Sequence, residues 1–90
     1  MTFIDWSDAE GMVDLFQEFI RDELNDSPSD AERQRFLNQL LEDVGSIREA
    51  KLVGAIRRLR LIQESIPSEF SEDSATLHLS DLIDELEGLV

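Results

Sequence analysis

A chain of 90 residues without cysteine offers material for one small domain burying roughly 60–65% of its unfolded surface, and it excludes both a disulfide framework and a thiolate metal site. Its 41% hydrophobic and 32% charged content is that of a globular protein rather than a disordered one. A formal net charge of −13 argues against direct binding to DNA, RNA or an anionic membrane surface, because phosphate neutralisation needs Lys and Arg in excess.

The distribution of charge says more than its sum. Residues 1–46 carry twelve acids and three bases, residues 47–66 two acids and five bases, and residues 67–90 seven acids and no base. One basic segment therefore lies between two acidic ones, and a basic protein partner is the expected consequence. No apolar run approaches the ~18 residues of a membrane span, and the N-terminus lacks the basic and apolar regions of a signal peptide. A cytoplasmic location is expected.

The first helix is predicted over residues 7–25. Phe3, Ile4 and Trp6 precede it and are expected to fold over one end of the core. Two N-caps compete: Ser7 with Glu10 forms a capping box, while Asp5 as cap lets Ile4 staple to Ala9. Ala9, Met12, Val13, Leu15, Phe16, Phe19, Ile20 and Leu24 make its apolar arc. Across from them runs an acid at every fourth position, Glu10, Asp14, Glu18 and Asp22, with Asp26 at the end. Like charges at this spacing cost an isolated helix roughly 0.2–0.5 kcal/mol per pair. The row therefore asks for a cationic counterpart.

Pro28 breaks the helix, and Ser29 opens a second Ser-Asp-Ala-Glu box with Glu32, unless Pro28 itself starts the helix behind a Ser27 cap. The tetrapeptide recurs 22 residues after its first occurrence, yet only Leu15/Leu37 and Gln17/Gln39 match beyond it, so it reads as one cap used twice. The second helix, residues 29–44, shows a core stripe of Phe36, Leu37, Leu40, Leu41 and Val44, with Gly45 suited to a left-handed C′ position. Ser46 and Glu49 form a third box that opens helix three, residues 47–66, almost without a loop. Leu52, Ala55, Ile56, Leu59, Ile62 and Ile66 face inward there, flanked by Lys51, Arg58 and Arg60, whose stems are expected to reach acids on adjacent helices. Pro67 ends the helix, Phe70 is expected to pin the following loop, and Asp73 or Ser74 caps a last helix, residues 74–88, with stripe Ala75, Leu79, Leu82, Ile83 and Leu86. No stretch alternates with period two. The expected architecture is a single all-α domain, a compact four-helix bundle.

Chemistry is sparse. His78 with Asp81 one turn later is the single pair that resembles a general base and its orienting group, and a surface histidine beside an acid is the plainer reading. Asp81, Asp84 and Glu85 share a helix face, yet there is no calcium-loop pattern, and a di-metal bundle site needs more than one histidine. Acyl carrier proteins are likewise small, acidic and helical. Their cofactor serine sits in Asp-Ser-Leu at the start of the second helix, whereas Asp73-Ser74-Ala75 lacks the Leu and lies too near the C-terminus. No enzyme, metal or cofactor is expected.

The acid row, joined by Asp81, Asp84 and Glu85, is the candidate partner-binding surface. Its members repeat every ~6 Å along the helix axis, close to the spacing of phosphates along a nucleic-acid strand. The plainer alternative is a solvated face neutralised in part by Arg48, Lys51, Arg57, Arg58 and Arg60. A second candidate is the strip Ala50, Gly54 and Leu61 on helix three, either a contact inside the monomer or a self-association face that would make a homodimer. In size and charge the chain is similar to the small acidic helical immunity proteins of bacteriocin nucleases, a likeness of class rather than of motif. That resemblance implies a stoichiometric inhibitor or antidote that blocks a basic, nucleic-acid-acting protein. The alternative is a small helical adaptor or regulatory subunit acting through an apolar helix face.

Overall fold

The computed structural model describes residues 6–26, 29–49 and 51–89, with side chains from residue 9 onward. The expectations for Phe3, Ile4, Asp5, Ser27, Pro28 and Ala50 fall outside the described residues, as do those for the side chains of Trp6 and Ser7. Four α-helices carry the fold: α1 (Trp6–Asp26), α2 (Ala31–Gly45), α3 (Leu52–Glu64) and α4 (Ser74–Glu87), with a 3-10 turn at Ser68–Phe70. No strand occurs among the described residues. The all-α, bundle-like architecture is as the periodicity implies.

The helices form a ring. α1 packs against α2 and α4, α3 packs against α4, and α2 and α3 touch far less than these other neighbouring pairs. One hydrophobic cluster joins all four, with Phe16 and Ile20 from α1, Leu37 and Val44 from α2, Leu52 and Leu59 from α3, and Leu79 and Leu86 from α4 fully buried. Truncating any of these leucines to alanine falls in the class that costs about 2–5 kcal/mol.

Three local expectations are corrected. α2 begins at Ala31 because Asp30, not Ser29, is its N-cap: the Asp30 carboxylate accepts from the Arg33 N–H at 3.1 Å. A carboxylate in that place also favours the positive end of the helix dipole, which a serine hydroxyl does not. Gly45 closes α2 in ordinary helical conformation, since no glycine has positive φ among the described residues. Finally, Ser46 does not open the third helix. It is the C-cap of α2, its N–H donating to the Glu42 and Val44 carbonyls and its Oγ to the Asp43 carbonyl. α3 starts five residues later than expected, at Leu52. The intervening link is needed because packed helices stand about 8–10 Å apart, which a connection of no length cannot span. Ile47 within it is 5% exposed and plugs the core, and Arg48 donates to the Gly45 and Ile47 carbonyls at the end of α2.

At the other end of the molecule, Asp73 is the N-cap of α4, accepting from the Ala75 N–H at 3.0 Å. Thr76 Oγ1 donates to the Phe70 carbonyl at 2.7 Å, and the Phe70 ring lies parallel to Phe36 at 4.4 Å. Phe70 thus pins its loop to α2. Gln34 Nε2 donates to the Leu24 carbonyl near the end of α1, closing the α1–α2 corner.

The most connected polar group is Arg33, which periodicity did not single out. Its Nε and Nη2 donate to both Asp73 carboxylate oxygens, at 2.8 and 3.0 Å. Nη2 also reaches Glu23 of α1 at 3.1 Å and Ser74 Oγ at 3.3 Å. The side chains of Arg33 and Asp73 are only 15% and 12% exposed. The Arg33 guanidinium holds the Asp73 carboxyl below its ordinary value of 3.8, against the opposing effect of burial, with the Ala75 N–H assisting.

Because the folded-state carboxyl is the stronger acid, its contribution to stability is present above the ordinary carboxylate range and is lost as pH falls through the lowered folded value. Replacing Arg33 by Met leaves two carboxylates partly buried without their cation, and such breakage costs about 2–4 kcal/mol, somewhat under the figure for a fully buried pair. The expected drop in melting temperature at pH 7 is about 10–30 °C. The variant should also lose less of its remaining stability than the parent between about pH 4 and pH 2. Circular-dichroism melts across that range check both. A variant with unchanged melting temperature would show the clamp to be dispensable.

Candidate functional site

α1 places its acids as the periodicity requires. Glu10, Asp14, Glu18 and Asp22 are all exposed. With about 100° per residue the row drifts round the helix. It starts beside α2, where Glu10 and Asp14 border a shallow hollow shared with Gly45 and Arg48. It ends beside α4, on the side where Phe19 packs. Asp81, Asp84 and Glu85 are exposed as well. The ring of helices makes α1 and α4 neighbours, and Asp81 and Glu85 lie on the half of α4 that also carries His78 toward α1.

The cationic counterpart expected from α3 goes elsewhere. Arg58 pairs with Glu49 in the α2–α3 link, Nε to Oε1 at 3.1 Å, and Arg60 pairs with Glu87 at the end of α4. Arg48 turns to backbone carbonyls, and Arg33 takes Glu23 and Asp73. Among the described residues no salt bridge involves Glu10, Asp14, Glu18 or Asp22. Arg57, Arg58 and Arg60 are therefore not the internal counterpart of the row, whereas Arg48 borders the same hollow as Glu10 and Asp14 without a salt bridge to either among the described residues. α1 and α3 scarcely touch across the ring, which is why Arg57, Arg58 and Arg60 cannot serve it.

Two further features belong to this face. Gly11 lies between Glu18 and Asp22 in angular position, exposed, with no atom within 4 Å of where a Cβ would sit. Packing among the described residues therefore does not account for a glycine here. Leu15, expected in the apolar arc, is 66% exposed. It stands about 100° round the helix from buried Phe16 and one turn before Glu18, on the exposed side of α1. The docking candidate is thus an acidic row with a bare backbone step and one apolar side chain at its edge.

His78 spends its ring on aromatic packing. It stacks on Phe19 at 4.4 Å and on Phe16 at 5.5 Å, and no hydrogen bond joins it to Asp81 among the described residues. Among those residues no group of three or more His, Asp or Glu is placed to hold a metal ion. Nor is any helix long and apolar enough to cross a membrane.

On α3, the small-residue strip has a different appearance from the one its spacing implies. A Cβ added at Gly54 would stand 2.8 Å from Glu49 Oε2, so the Glu49 side chain, held by Arg58, already lies over that glycine. Leu61 is 56% exposed, and Ala50 is outside the described residues. No protein-family model matches the chain, and no curated protein or solved structure matches it.

The unpaired row makes a stability prediction. Glu18→Lys removes like-charge neighbours at Asp14 and Asp22 and creates opposite-charge ones, while it sets a like charge three residues from Arg21, for a net gain of roughly 0.4–1 kcal/mol at low salt. The melting temperature should rise by about 2–8 °C. The parent should itself melt higher at about 0.2 M than at about 0.02 M salt, because screening relieves repulsion. A melting temperature that falls with salt, or a destabilised Glu18→Lys variant, would mean that attractive pairs govern this face.

Proposed function

We propose that this chain is a non-enzymatic, stoichiometric inhibitor or antidote that blocks a basic protein partner, with Glu10, Asp14, Glu18 and Asp22 as the docking face and Asp81, Asp84 and Glu85 extending it. The observation that supports the reading is that these acids are exposed and form no salt bridge among the described residues, while Arg33, Arg48, Arg58 and Arg60 engage other groups.

A row of carboxylates repeating every ~6 Å presents charge in the manner of a phosphate strand, and a groove lined with Lys and Arg for nucleic acid offers its complement. Steering by such a field speeds encounter, while desolvated charge pairs slow release. Gly11 lets a partner approach the helix backbone, and Leu15 supplies an apolar contact at the rim. As an antidote the chain would work in the cytoplasm beside its target.

Glu18→Lys separates folding from binding, because it is expected to stabilise the free protein while weakening the complex. Paired with Asp14→Lys, it should raise the dissociation constant for the basic partner about tenfold or more and flatten the salt dependence of binding. Gly11→Leu, which adds bulk without changing charge, should weaken binding as well. Titration calorimetry at several salt concentrations with a partner captured at low salt reads all three. Unchanged affinity in the doubly reversed variant would remove the row from the interface.

The adaptor reading retains one supporting observation, the exposed Leu61. If that residue joins two copies, the protein has twice the monomer mass by light scattering and Leu61→Glu returns it to one.

A further inference from the structure

The weak contact between α2 and α3 leaves a cleft of about 500 Å³ on the side of the ring away from the α1–α4 seam. Phe36, Leu40, Ile62, Ile66 and Phe70 form its floor. These side chains belong to the core cluster or pack against it, so the floor is rigid: Phe36 is 8% and Leu40 2% exposed, and the Phe36–Phe70 stack fixes one end. Around the floor stand Glu32, Asp43 and Glu69, against the single base Arg35. On α2 the lining positions run from Glu32 through Phe36 and Leu40 to Asp43, three turns or about 16 Å of helix.

We propose that this cleft is a second docking surface, which takes an amphipathic helix of a partner carrying an apolar stripe flanked by Lys or Arg. Three observations converge on that occupant. The trough runs three turns along α2, with Ile62 at the end of α3 and the following segment to Phe70 as its other wall, so its α2 side matches the i, i+4, i+7 anchors of a helix laid in a groove. The floor is apolar and pre-formed, which rewards buried Leu, Ile or Phe anchors. The rim carries three acids to one base, so flanking cations are favoured and flanking carboxylates repelled. Asp43 is partly held by Gln39 Nε2 at 2.8 Å, which aims it along α2 at the mouth. The site does not depend on the α1 row and stands or falls separately from it.

The test is a titration of the ¹⁵N-labelled 90-residue chain with a helical Leu/Lys peptide of about four turns, and in parallel with the same peptide carrying Glu in place of Lys. Saturable amide shifts are expected at Phe36, Leu40, Ile62, Ile66 and Phe70, with the Glu peptide bound about tenfold more weakly or worse. Glu69→Lys, at an exposed position, and Ile66→Gln should each weaken the Leu/Lys peptide by about threefold to tenfold, while Glu18→Lys leaves the cleft shifts in place. The proposal is overturned by shifts confined to the α1–α4 acids, by equal binding of the two peptides, or by loss of the cleft shifts in Glu18→Lys. It is equally overturned if the cleft residues shift on raising protein concentration without peptide, since the occupant is then a second copy.

Discussion

The fold depends on one cation more than on any other polar group. Arg33 stands at the third position of α2, where a positive charge is poorly placed with respect to the helix dipole. It is tolerated because its guanidinium satisfies Asp73 through two parallel hydrogen bonds and Glu23 through a third. Asp73 is meanwhile the N-cap of α4. One side chain thereby fixes the end of α1, the start of α2 and the start of α4 relative to one another. The clamp is 12–15% exposed at its central pair, so solvent weakens it less than it does the Arg58–Glu49 bridge, where Arg58 is 64% exposed. Of the ion pairs among the described residues, this is the one that sets the relation of three helices.

The clamp also settles how negative charge is apportioned. A chain with 21 acids and 8 bases can neutralise only a minority of its carboxylates, so the placement of each base decides which acids remain outward. Arg33 faces inward, Arg58 reaches the α2–α3 link and Arg60 reaches α4. Each of these uses ties two segments of the chain together. The row on α1 forms none of the pairs, and its repulsion is left for solvent, salt or another molecule to offset.

What sequence reading captured and missed follows from the range of the interactions involved. Helix existence and the inward stripes of α2, α3 and α4 rest on periodicity within a dozen residues, and Leu37, Leu40, Val44, Leu52, Leu59, Leu79 and Leu86 are buried accordingly. Leu15 was misplaced because an apolar arc half a helix wide does not say where its neighbours stop. The third capping box failed because Ser46 with Glu49 satisfies a local pattern, whereas burial of Ile47 and the distance between α2 and α3 are tertiary demands. Arg33 pairs with a residue 40 positions away, which no local pattern reports. One signal was present nonetheless: a base at the third position of a helix opening with an acidic cap implies a carboxylate from elsewhere in the fold. The row itself was legible, while its isolation from the bases of α3 was not, since that depends on which helices are neighbours in the ring.

The two proposed docking surfaces differ in what they would ask of a partner. The α1 row is charged, exposed and built on a helix that would be more stable without it: each like-charge neighbour costs a few tenths of a kcal/mol, and open Gly11 costs about 0.5–1 kcal/mol relative to alanine. Neither cost has a compensating contact among the described residues of the monomer. The cleft beside α2 has the opposite character, a floor taken from the core itself and left uncovered between α2 and the segment that follows α3. Charge acts over roughly a Debye length of about 8–10 Å, whereas apolar contact acts only once water has been expelled. A surface of the first kind governs encounter and its dependence on salt, and one of the second kind governs residence. Lying on different sides of the ring, the two surfaces proposed here for docking would take two segments of one wrapping partner or two partners at once, and the Arg33 clamp ties α1 to α2, the helices on which they are built.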